Sequence, residues 1–126
     1  MEKKVIVSEK SPAAIGPYSQ AIEYNGLIYT SGVIGVNPAT GELVSGPAEV
    51  QADQAISNLA ALLEAAGTSM ANVVKTVVFI KNMDDFGKIN EVYAKYFEEP
   101  YPSRSCVEVA RLPKDVLLEV EAIVAK

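Results

Sequence analysis

The dipeptide Asn25-Gly26 is the feature that most restricts how this chain can fold. It separates two apolar runs, Ala21 to Tyr24 and Leu27 to Val36. Asn-Gly readily adopts the positive φ angles of a two-residue hairpin turn, so the flanking runs are predicted to pair as antiparallel strands. A short apolar run from Val5 to Val7 offers a third strand. The chain is therefore predicted to open with two or three antiparallel strands.

An amphipathic helix is predicted to follow these strands. Pro47 suits the first helical position and Gly67 suits a C-terminal cap. Between them, apolar residues recur at helical spacing, which predicts one buried stripe. The stripe consists of Ala55, Leu59, Leu62, Leu63 and Ala66.

The second half of the chain is predicted to contain a central strand, a second helix and two closing strands. Residues 73–80, VVKTVVFI, are rich in β-branched side chains and predict the strand. The second helix begins after Asn82 and ends before Pro100, and the closing strands lie near residues 104–110 and 116–124. The buried stripe of the second helix is predicted to be Phe86, Ile89, Tyr93 and Phe97. This order predicts an α+β fold with two helices on one face of a mostly antiparallel sheet.

Length and composition predict a single domain spanning residues 1–126. No apolar run is long enough to span a bilayer, and the N-terminal apolar stretch is too short for a signal peptide. Cys106 is the only cysteine, so an intrachain disulfide is impossible and a cytoplasmic location is expected. The net charge of −5, with scattered basic residues, makes nucleic acid an unlikely main partner.

The closing strands suggest where polar groups gather. If they pair as a hairpin, residues opposite each other share a face, which would place Arg104 and Cys106 beside Glu119 and Glu121 on the face without helices. Leu117 and Ile123 would lie on that face too. Two helices cannot cover both faces of such a sheet, and an exposed, half-apolar face is an association surface. A symmetric homo-oligomer with inward-facing sheets is predicted.

The charged candidates each have a structural and a functional interpretation. Arg104 either forms an ion pair with Glu119 or Glu121, or clamps a carboxylate or phosphate through its planar guanidinium. The glutamates are either solvated or paired, or they perform acid/base chemistry. Spacing alone does not choose between these interpretations.

The uncharged candidates are equally open. Without histidine, Cys106 lacks the usual activating base, so a role as a small buried hydrophobe is favoured over a thiolate whose pKa Arg104 depresses. Tyr18 in GPYSQA and Ser31 in YTSG are either structural or line a ligand site. Motifs for phosphate loops, paired metal ligands, serine nucleophiles and dinucleotides do not occur in the sequence.

Segments along nearly the whole chain resemble the RidA family, the reactive intermediate deaminases formerly called YjgF. The segments are AAIGPYSQA at 13–21, YTSG at 29–32, GVNPATGEL at 35–43, EAAG at 64–67, VVKTVVFIKNMDDF at 74–86 and PSRSCVEVARLPKDVLLEVEAI at 102–123. The resemblance implies a chorismate-mutase-like α+β fold, a homotrimer whose sheets form a central barrel, and active sites between subunits. It also implies hydrolysis of 2-imino acids, such as those released by PLP-dependent enzymes, to 2-keto acids and ammonia, without metal or organic cofactor.

The resemblance also implies roles for individual residues. Arg104 would clamp the substrate carboxylate, and Glu119 would orient or activate the attacking water. Around them, the resemblance implies that Tyr18 and Ser31 line the cleft, that Gly32 and Cys106 offer backbone contacts, and that Asn90 has a supporting role. The short segment before Arg104 and the serine at position 103 depart from the family pattern, which leaves the preferred imine side chain open.

Two other functions remain as alternatives. Some relatives are described as single-stranded RNA endonucleases or translation inhibitors, but the acidic balance and the lack of a basic stripe with stacking aromatics weigh against this activity. A regulator that binds small carboxylates would need Arg104 but not Glu119.

Overall fold

The structure, a computed structural model, describes residues 2–126 as one six-stranded sheet and two α-helices. The elements are β1 Lys4–Ile6, β2 Ala21–Tyr24, β3 Leu27–Thr30, α1 Ala48–Ala65, β4 Val73–Ile80, α2 Phe86–Ala94, β5 Ser103–Glu108 and β6 Leu118–Ala125. The sheet order is β1-β2-β3-β6-β4-β5, and every neighbouring pair is antiparallel except β4 and β5. This confirms an α+β fold with a mostly antiparallel sheet.

The predicted hairpin is confirmed. Asn25 and Gly26 have φ angles of 53° and 81°, and Tyr24 lies opposite Leu27 in the register of β2 and β3. Two successive positive φ angles are the geometry of a type I′ turn, whose twist matches that of the flanking strands.

β3 is shorter than predicted, because it ends at Thr30 rather than Val36. Tyr29 pairs with Ile123 of β6, and Val33 pairs with Val120. The three residues 30–32 therefore lie opposite only two residues of β6, 121–122, which leaves one extra residue after β3. Such a bulge interrupts the ladder and re-aims the side chains next to it. The Thr30 hydroxyl accepts the Ala122 N–H at 3.0 Å, which satisfies one donor that the interrupted ladder would leave free.

The first predicted helix and its buried stripe are confirmed. Pro47 occupies the N-cap rather than the first helical position, and Gly67 follows the C-cap residue Ala66 with a φ of 82°. The left-handed conformation of Gly67 ends the helix without the steric cost of a Cβ. The stripe residues Ala55, Leu59, Leu62, Leu63 and Ala66 are all buried.

The second helix ends earlier than predicted. The Asn82 side chain accepts the Asp84 N–H at 2.9 Å in a 3-10 turn, and α2 begins at Phe86. It ends at Ala94, so Phe97 lies beyond it, yet Phe97 is buried and its ring centroid lies 4.4 Å from that of Tyr93.

The two closing strands do not form a hairpin, and that expectation was wrong. β6 lies between β3 and β4, and β5 pairs in parallel with the other side of β4. A parallel pair needs a crossover connection, which α2 supplies between β4 and β5. The sheet therefore ends at β5, which is an edge strand.

This topology also overturns the predicted grouping on the helix-free face. Thr76 of β4 lies opposite Arg104 on one side and Ala122 on the other. Thr76 and Ala122 are buried on the face that packs against the helices, so Arg104 belongs to that face. Cys106 lies two residues further along β5 and shares it.

The glutamates lie on the opposite face. Glu119 and Glu121 are opposite Phe79 and Val77 of β4, which alternate with the buried residues Thr76 and Val78. The parity argument failed because it assumed that β5 and β6 were neighbours, whereas β4 separates them.

Most of β6 faces the helices as predicted, since Leu118, Val120, Ala122 and Val124 are buried. Leu117 was expected on the helix-free face, but it precedes β6 and packs partly against the core. The helix-free face instead exposes apolar side chains of several strands. They are Val5, Tyr24, Tyr29, Val107 and Ile123.

Candidate functional site

A cavity of about 590 Å³ brings together four of the predicted site residues. They are Tyr18, Ser31, Gly32 and Glu119. The bulge after β3 positions two of them, and the start of β6 positions Glu119. We call this space the Glu119 cavity.

Ser31 is fixed by two hydrogen bonds to the chain before β2. Its hydroxyl donates to the Ser19 carbonyl at 2.6 Å, and its N–H donates to the Gln20 carbonyl at 2.9 Å. The hydroxyl proton is thereby committed, so Ser31 can still accept a hydrogen bond from a ligand but not readily donate one. Tyr18 is half-exposed at the cavity.

Gly32 lies directly beneath the Glu119 side chain. A Cβ at this position would lie 2.7 Å from Glu119 Cγ and closer still to Cδ and Oε1. Glycine is therefore needed for close approach, because any larger residue would force Glu119 to move. This steric relation gives Gly32 a definite role, namely to leave room for the carboxylate.

The carboxyl group of Glu119 is partly desolvated. Burial raises its pKa above the ordinary value of 4.5, and the nearby negative charge of Glu121 raises the pKa further. Both effects favour the protonated form. Glu119 is thus a better proton acceptor than a fully solvated glutamate.

Arg104 lies at the sheet edge, beside α2. Its Nη1 donates to Asn90 Oδ1 at 2.7 Å. Its guanidinium carbon lies 4.6 Å from the ring centroid of Tyr93 and 5.4 Å from that of Phe86, within cation–π range. Arg104, Asn90, Phe86 and Tyr93, together with Cys106, form what we call the Arg104 cluster.

The aromatic ring next to Arg104 is itself held in place. The hydroxyl groups of Tyr93 and Thr76 lie 2.8 Å apart in the buried layer between α2 and β4. Burial raises the pKa of Tyr93, while the hydrogen bond to Thr76 and the charge of Arg104 lower it by less. Tyr93 therefore stays neutral and provides a fixed surface for the guanidinium.

Cys106 has the properties of a small, partly buried hydrophobe. Burial raises the pKa of its thiol, and the nearby Arg104 lowers it by less. The protonated thiol is favoured, which argues against nucleophilic chemistry at this residue.

The predicted residues thus form two groups rather than one. Within residues 2–126, Arg104 makes no ion pair, so its structural interpretation, a pair with Glu119 or Glu121, does not occur within the chain. The Arg104 cluster lies on the helix-packed face, whereas Glu119 is on the other side of β6 and lines a cavity that also contacts the bulge after β3 and Leu62 of α1.

Sequence reasoning missed three contributions to these groups. Phe86 and Tyr93 were assigned only to the core, although they also support Arg104. Gln20 was not singled out, although it is buried and its side chain makes several hydrogen bonds. The sequence signal that could have identified Gln20 is its place as a polar residue immediately before an apolar strand. The aliphatic lining of the cavity had no local signal, because it comes from separate segments.

Within the part of the chain that the structure describes, no cluster of three or more His, Cys, Asp or Glu side chains could hold a metal ion. Neither helix of residues 2–126 has the length and apolar character needed to cross a membrane.

Comparisons with known proteins cover nearly the whole chain. A family profile described as Endoribonuclease L-PSP matches residues 8–126. A 2-iminobutanoate/2-iminopropanoate deaminase of Escherichia coli K12 is 50% identical over 128 residues, which cover 98% of each chain. A Rid family protein from Yersinia pestis has a TM-score of 0.97 and 46% identity, over 99% of this chain and 100% of that one. Escherichia coli TdcF with bound serine has a TM-score of 0.92 and 46% identity, over 98% of both chains.

Proposed function

The chain belongs to the Endoribonuclease L-PSP family, which includes Rid proteins, and we propose that it is a 2-iminobutanoate/2-iminopropanoate deaminase. It would hydrolyse reactive imine or enamine intermediates from PLP-dependent enzymes to 2-keto acids and ammonia, in the cytoplasm and without a metal or organic cofactor. The observation that most supports the proposal is the partly desolvated Glu119 carboxylate, next to Gly32 in a cavity large enough for a small substrate.

Arg104 would bind the substrate carboxylate. Its guanidinium has five N–H donors in a planar fork, and the bond to Asn90 uses only one of them. The rings of Tyr93 and Phe86 restrict the position of the guanidinium, so less conformational entropy is lost when the carboxylate binds. Asn90 is a positioning residue in this proposal, because it acts through Arg104.

Glu119 would orient a water molecule and accept its proton. The water oxygen bonds to C2 of the protonated imine, which is already electrophilic, and the proton passes to the carboxylate. Glu119 returns the proton to the amino group of the tetrahedral adduct, which becomes an ammonium group. The C–N bond then breaks as the hydroxyl oxygen forms the C=O bond of the 2-keto acid, the hydroxyl proton passes to Glu119, and the released ammonia takes it up and leaves as ammonium. Orientation of carboxylate and water supplies much of the acceleration.

The site would lie between subunits. Arg104 and Glu119 lie on opposite faces of the sheet in one chain, whereas the carboxylate and C2 of a 2-imino acid are directly bonded. Both residues can serve one substrate only if they come from different chains. We therefore propose a homotrimer, with helix-free faces packed around a central barrel and with the Arg104 cluster of one subunit facing the Glu119 cavity of the next. The exposed apolar residues of that face support this assembly.

The comparisons support both the reaction and the ligand. The Escherichia coli relative at 50% identity is named for the same reaction. Serine, which is bound in the structure of TdcF, has a carboxylate on a carbon that also bears nitrogen, as a 2-imino acid does.

The test is keto acid formation from an imine generated in situ from 2-aminobutyrate by an amino-acid oxidase, with catalase present. Wild type is compared with Arg104→Ala, Arg104→Lys and Glu119→Gln, and the assembly state of each is measured. Arg111→Ala and Glu64→Gln are matched controls, because both residues are exposed and lie outside the two groups.

We expect Arg104→Ala and Glu119→Gln to lower kcat/KM about 100-fold or more, and Arg104→Lys to lower it about tenfold, while the trimer persists. If folded wild type binds 2-ketobutyrate but accelerates no imine, a carboxylate-binding regulator is the better assignment. If it instead cleaves single-stranded RNA at near-physiological salt, the deaminase proposal is replaced by a nuclease.

A further inference from the structure

Thr76 is a polar residue in an otherwise apolar row of the core. β4 turns Thr76, Val78 and Ile80 toward the helices, and all three are buried, Thr76 completely. Threonine has nearly the shape of valine, but its hydroxyl group costs free energy in the core unless it is hydrogen-bonded. Packing alone would be served by valine at this position, so the hydroxyl group of Thr76 calls for a separate explanation.

The partner of this hydroxyl group is the phenol of Tyr93. The two oxygen atoms lie 2.8 Å apart, and among residues 2–126 this is the only hydrogen bond between α2 and β4. Tyr93 is buried, and the ring of Phe97 packs against it with a centroid distance of 4.4 Å. The hydrogen bond holds the phenolic end of the ring, so the ring has a defined position relative to β4.

The side chains that hold the Arg104 guanidinium all belong to α2. Phe86, Asn90 and Tyr93 follow one another at intervals of four and three residues, which places them on one face of the helix. Asn90 accepts a hydrogen bond from Arg104, and the two rings lie within cation–π range of it. The position of the guanidinium therefore depends on how α2 lies against the sheet.

Thr76 connects this helix face to the strand that carries Arg104. It lies opposite Arg104 in the parallel register of β4 and β5, and it is hydrogen-bonded to the ring whose centroid lies 4.6 Å from the guanidinium carbon. Thr76, Tyr93 and Arg104 thus form a closed set of contacts. An exposed arginine side chain otherwise has many rotamers, and this set restricts the directions in which its N–H groups point.

We propose that Thr76 is a positioning residue for the imine hydrolysis proposed above. Through the Tyr93 phenol it holds α2, and with it the Arg104 guanidinium, in the geometry that binds the substrate carboxylate. The inference rests on the proposed role of Arg104. The carboxylate is bound in the ground state and in the transition state alike, so loss of the Thr76 hydroxyl group should raise KM and leave kcat nearly unchanged.

The test uses the assembled protein and measures kcat and KM for the imine derived from 2-aminobutyrate, together with the Kd of 2-ketobutyrate by calorimetry. Thr76→Val should raise KM and Kd about fivefold and change kcat less than about twofold. Thr76→Ser keeps the hydroxyl group and should stay within about twofold of wild type in all three. Thr68→Val is the matched control, because its hydroxyl donates to the Ala125 carbonyl at 2.8 Å, outside both groups, and it should alter none of them.

A double variant separates positioning from stability. Thr76→Val leaves the Tyr93 hydroxyl group buried without its partner and should lower Tm, whereas Thr76→Val with Tyr93→Phe removes both hydroxyl groups and should recover most of that Tm. The link between α2 and β4 is still missing in the double variant, so KM and Kd should stay raised. The double variant also supplies the measurement if Thr76→Val does not assemble. Recovery of KM and Kd together with Tm would overturn the proposal, because Thr76 would then serve stability alone.

A combination with Arg104→Ala tests the route of action. A residue that acts through Arg104 has nothing left to position in that background, so adding Thr76→Val to Arg104→Ala should not lower kcat/KM further. Two independent residues would instead give losses that multiply. A second loss as large as that of Thr76→Val alone would overturn the proposal.

The outcomes also separate this proposal from the deaminase proposal. If wild type hydrolyses the imine while folded Thr76→Val keeps the wild-type KM and Kd, the role of Thr76 is overturned and the deaminase proposal stands. If wild type binds 2-ketobutyrate but accelerates no imine, the deaminase proposal fails and the Kd values decide the role of Thr76. If wild type neither binds 2-ketobutyrate nor accelerates any imine, both are overturned.

Discussion

At the scale of single residues, the position of the Glu119 side chain depends on the absence of a side chain at Gly32. The carboxylate occupies the space that a side chain at position 32 would need. Neither residue shows this relation in the sequence, because they are far apart along the chain and meet only through the bulge. The position of the carboxylate is therefore as dependent on the backbone at Gly32 as on its own strand.

Gly32→Ala should displace the Glu119 side chain and lower kcat/KM for imine hydrolysis about 10- to 100-fold, mainly through kcat. The loss of stability should be smaller, about 1–2 kcal/mol, because the side chain that must move is only partly buried. Steady-state kinetics and thermal unfolding check both quantities. Gly87→Ala is the control, since a Cβ there meets no atom within 4 Å. Full activity in Gly32→Ala would contradict the assigned role of Glu119.

The pH dependence of the reaction should reflect the environment of Glu119. As the proton acceptor, Glu119 must be ionised, and its pKa lies above 4.5 because of burial and Glu121. Activity should therefore rise with pH through this raised pKa, so the acid limb of kcat/KM lies above pH 4.5. Glu121→Gln removes one cause of the increase and should move the limb to lower pH. The measurement is kcat/KM between pH 4 and 8, after subtraction of the uncatalysed rate. An unmoved limb in Glu121→Gln would contradict its assignment to Glu119.

At the scale of elements, the side-chain amide of Gln20 holds the segment between β1 and β2 in place through hydrogen bonds. Gln20 is the first residue before β2, and its side chain satisfies three carbonyls and one N–H of residues 8–12. An irregular segment has no ladder or helix to satisfy its backbone groups, so a buried glutamine takes over that task. The backbone carbonyl of Gln20 accepts the Ser31 N–H, which links this segment to the bulge after β3.

Gln20→Glu should lower the free energy of unfolding by about 2 kcal/mol or more at pH 7, because a carboxylate would face three carbonyl oxygens. The new carboxyl group should have a raised pKa, so the loss should shrink as pH falls and the group becomes protonated. Gln54→Glu is the comparison, since Gln54 makes one side-chain hydrogen bond, to Asn58 at 2.8 Å, and should lose less than about 1 kcal/mol. Denaturant unfolding at pH 7 and pH 4.5 measures both variants, and equal losses would argue against the proposed anchor.

The elements themselves were predictable because their signals are local. The Asn25-Gly26 turn and the apolar stripe of α1 depend on residues within a few positions of one another, and both were confirmed. The partner of β5 was not predictable in this way. Hydrophobic alternation says which residues share a face of a strand, but it does not say which strand lies alongside.

The candidate site was predictable to the same degree. Tyr18, Ser31, Gly32 and Glu119 do line one cavity, and the family resemblance had pointed to each of them. The separation of Arg104 from Glu119 depends on β4 lying between their strands, which is a property of the assembled sheet. No spacing in the sequence records it.

At the scale of the whole molecule, the unexplained surface is the helix-free face. Ile123 lies near its centre beside Tyr29 and is 36% exposed, and Tyr29 is 42% exposed. A chain that stayed monomeric would keep these side chains in water. The proposed trimer would bury them.

Ile123→Asp should dissociate the proposed trimer and remove imine hydrolysis with it, because the charge would be buried without a partner. Val50→Asp is the matched control, since Val50 is 42% exposed but lies on α1, away from the sheet face, and it should leave assembly intact. Sedimentation velocity and activity are measured on the same samples. An unchanged assembly in Ile123→Asp would exclude this face as the interface.

The placement of Arg104 and Glu119 on opposite faces of one sheet has a consequence for inheritance. If each site combines halves of two chains, an allele lacking Arg104 and an allele lacking Glu119 are defective for different reasons and can complement each other in one cell. In randomly mixed trimers of the two variants, about a quarter of the sites would receive both intact halves. Two null alleles of an enzyme whose site lies within one chain would give no intact site. Growth of a diploid or merodiploid strain that carries both alleles would therefore show whether the site is shared between chains.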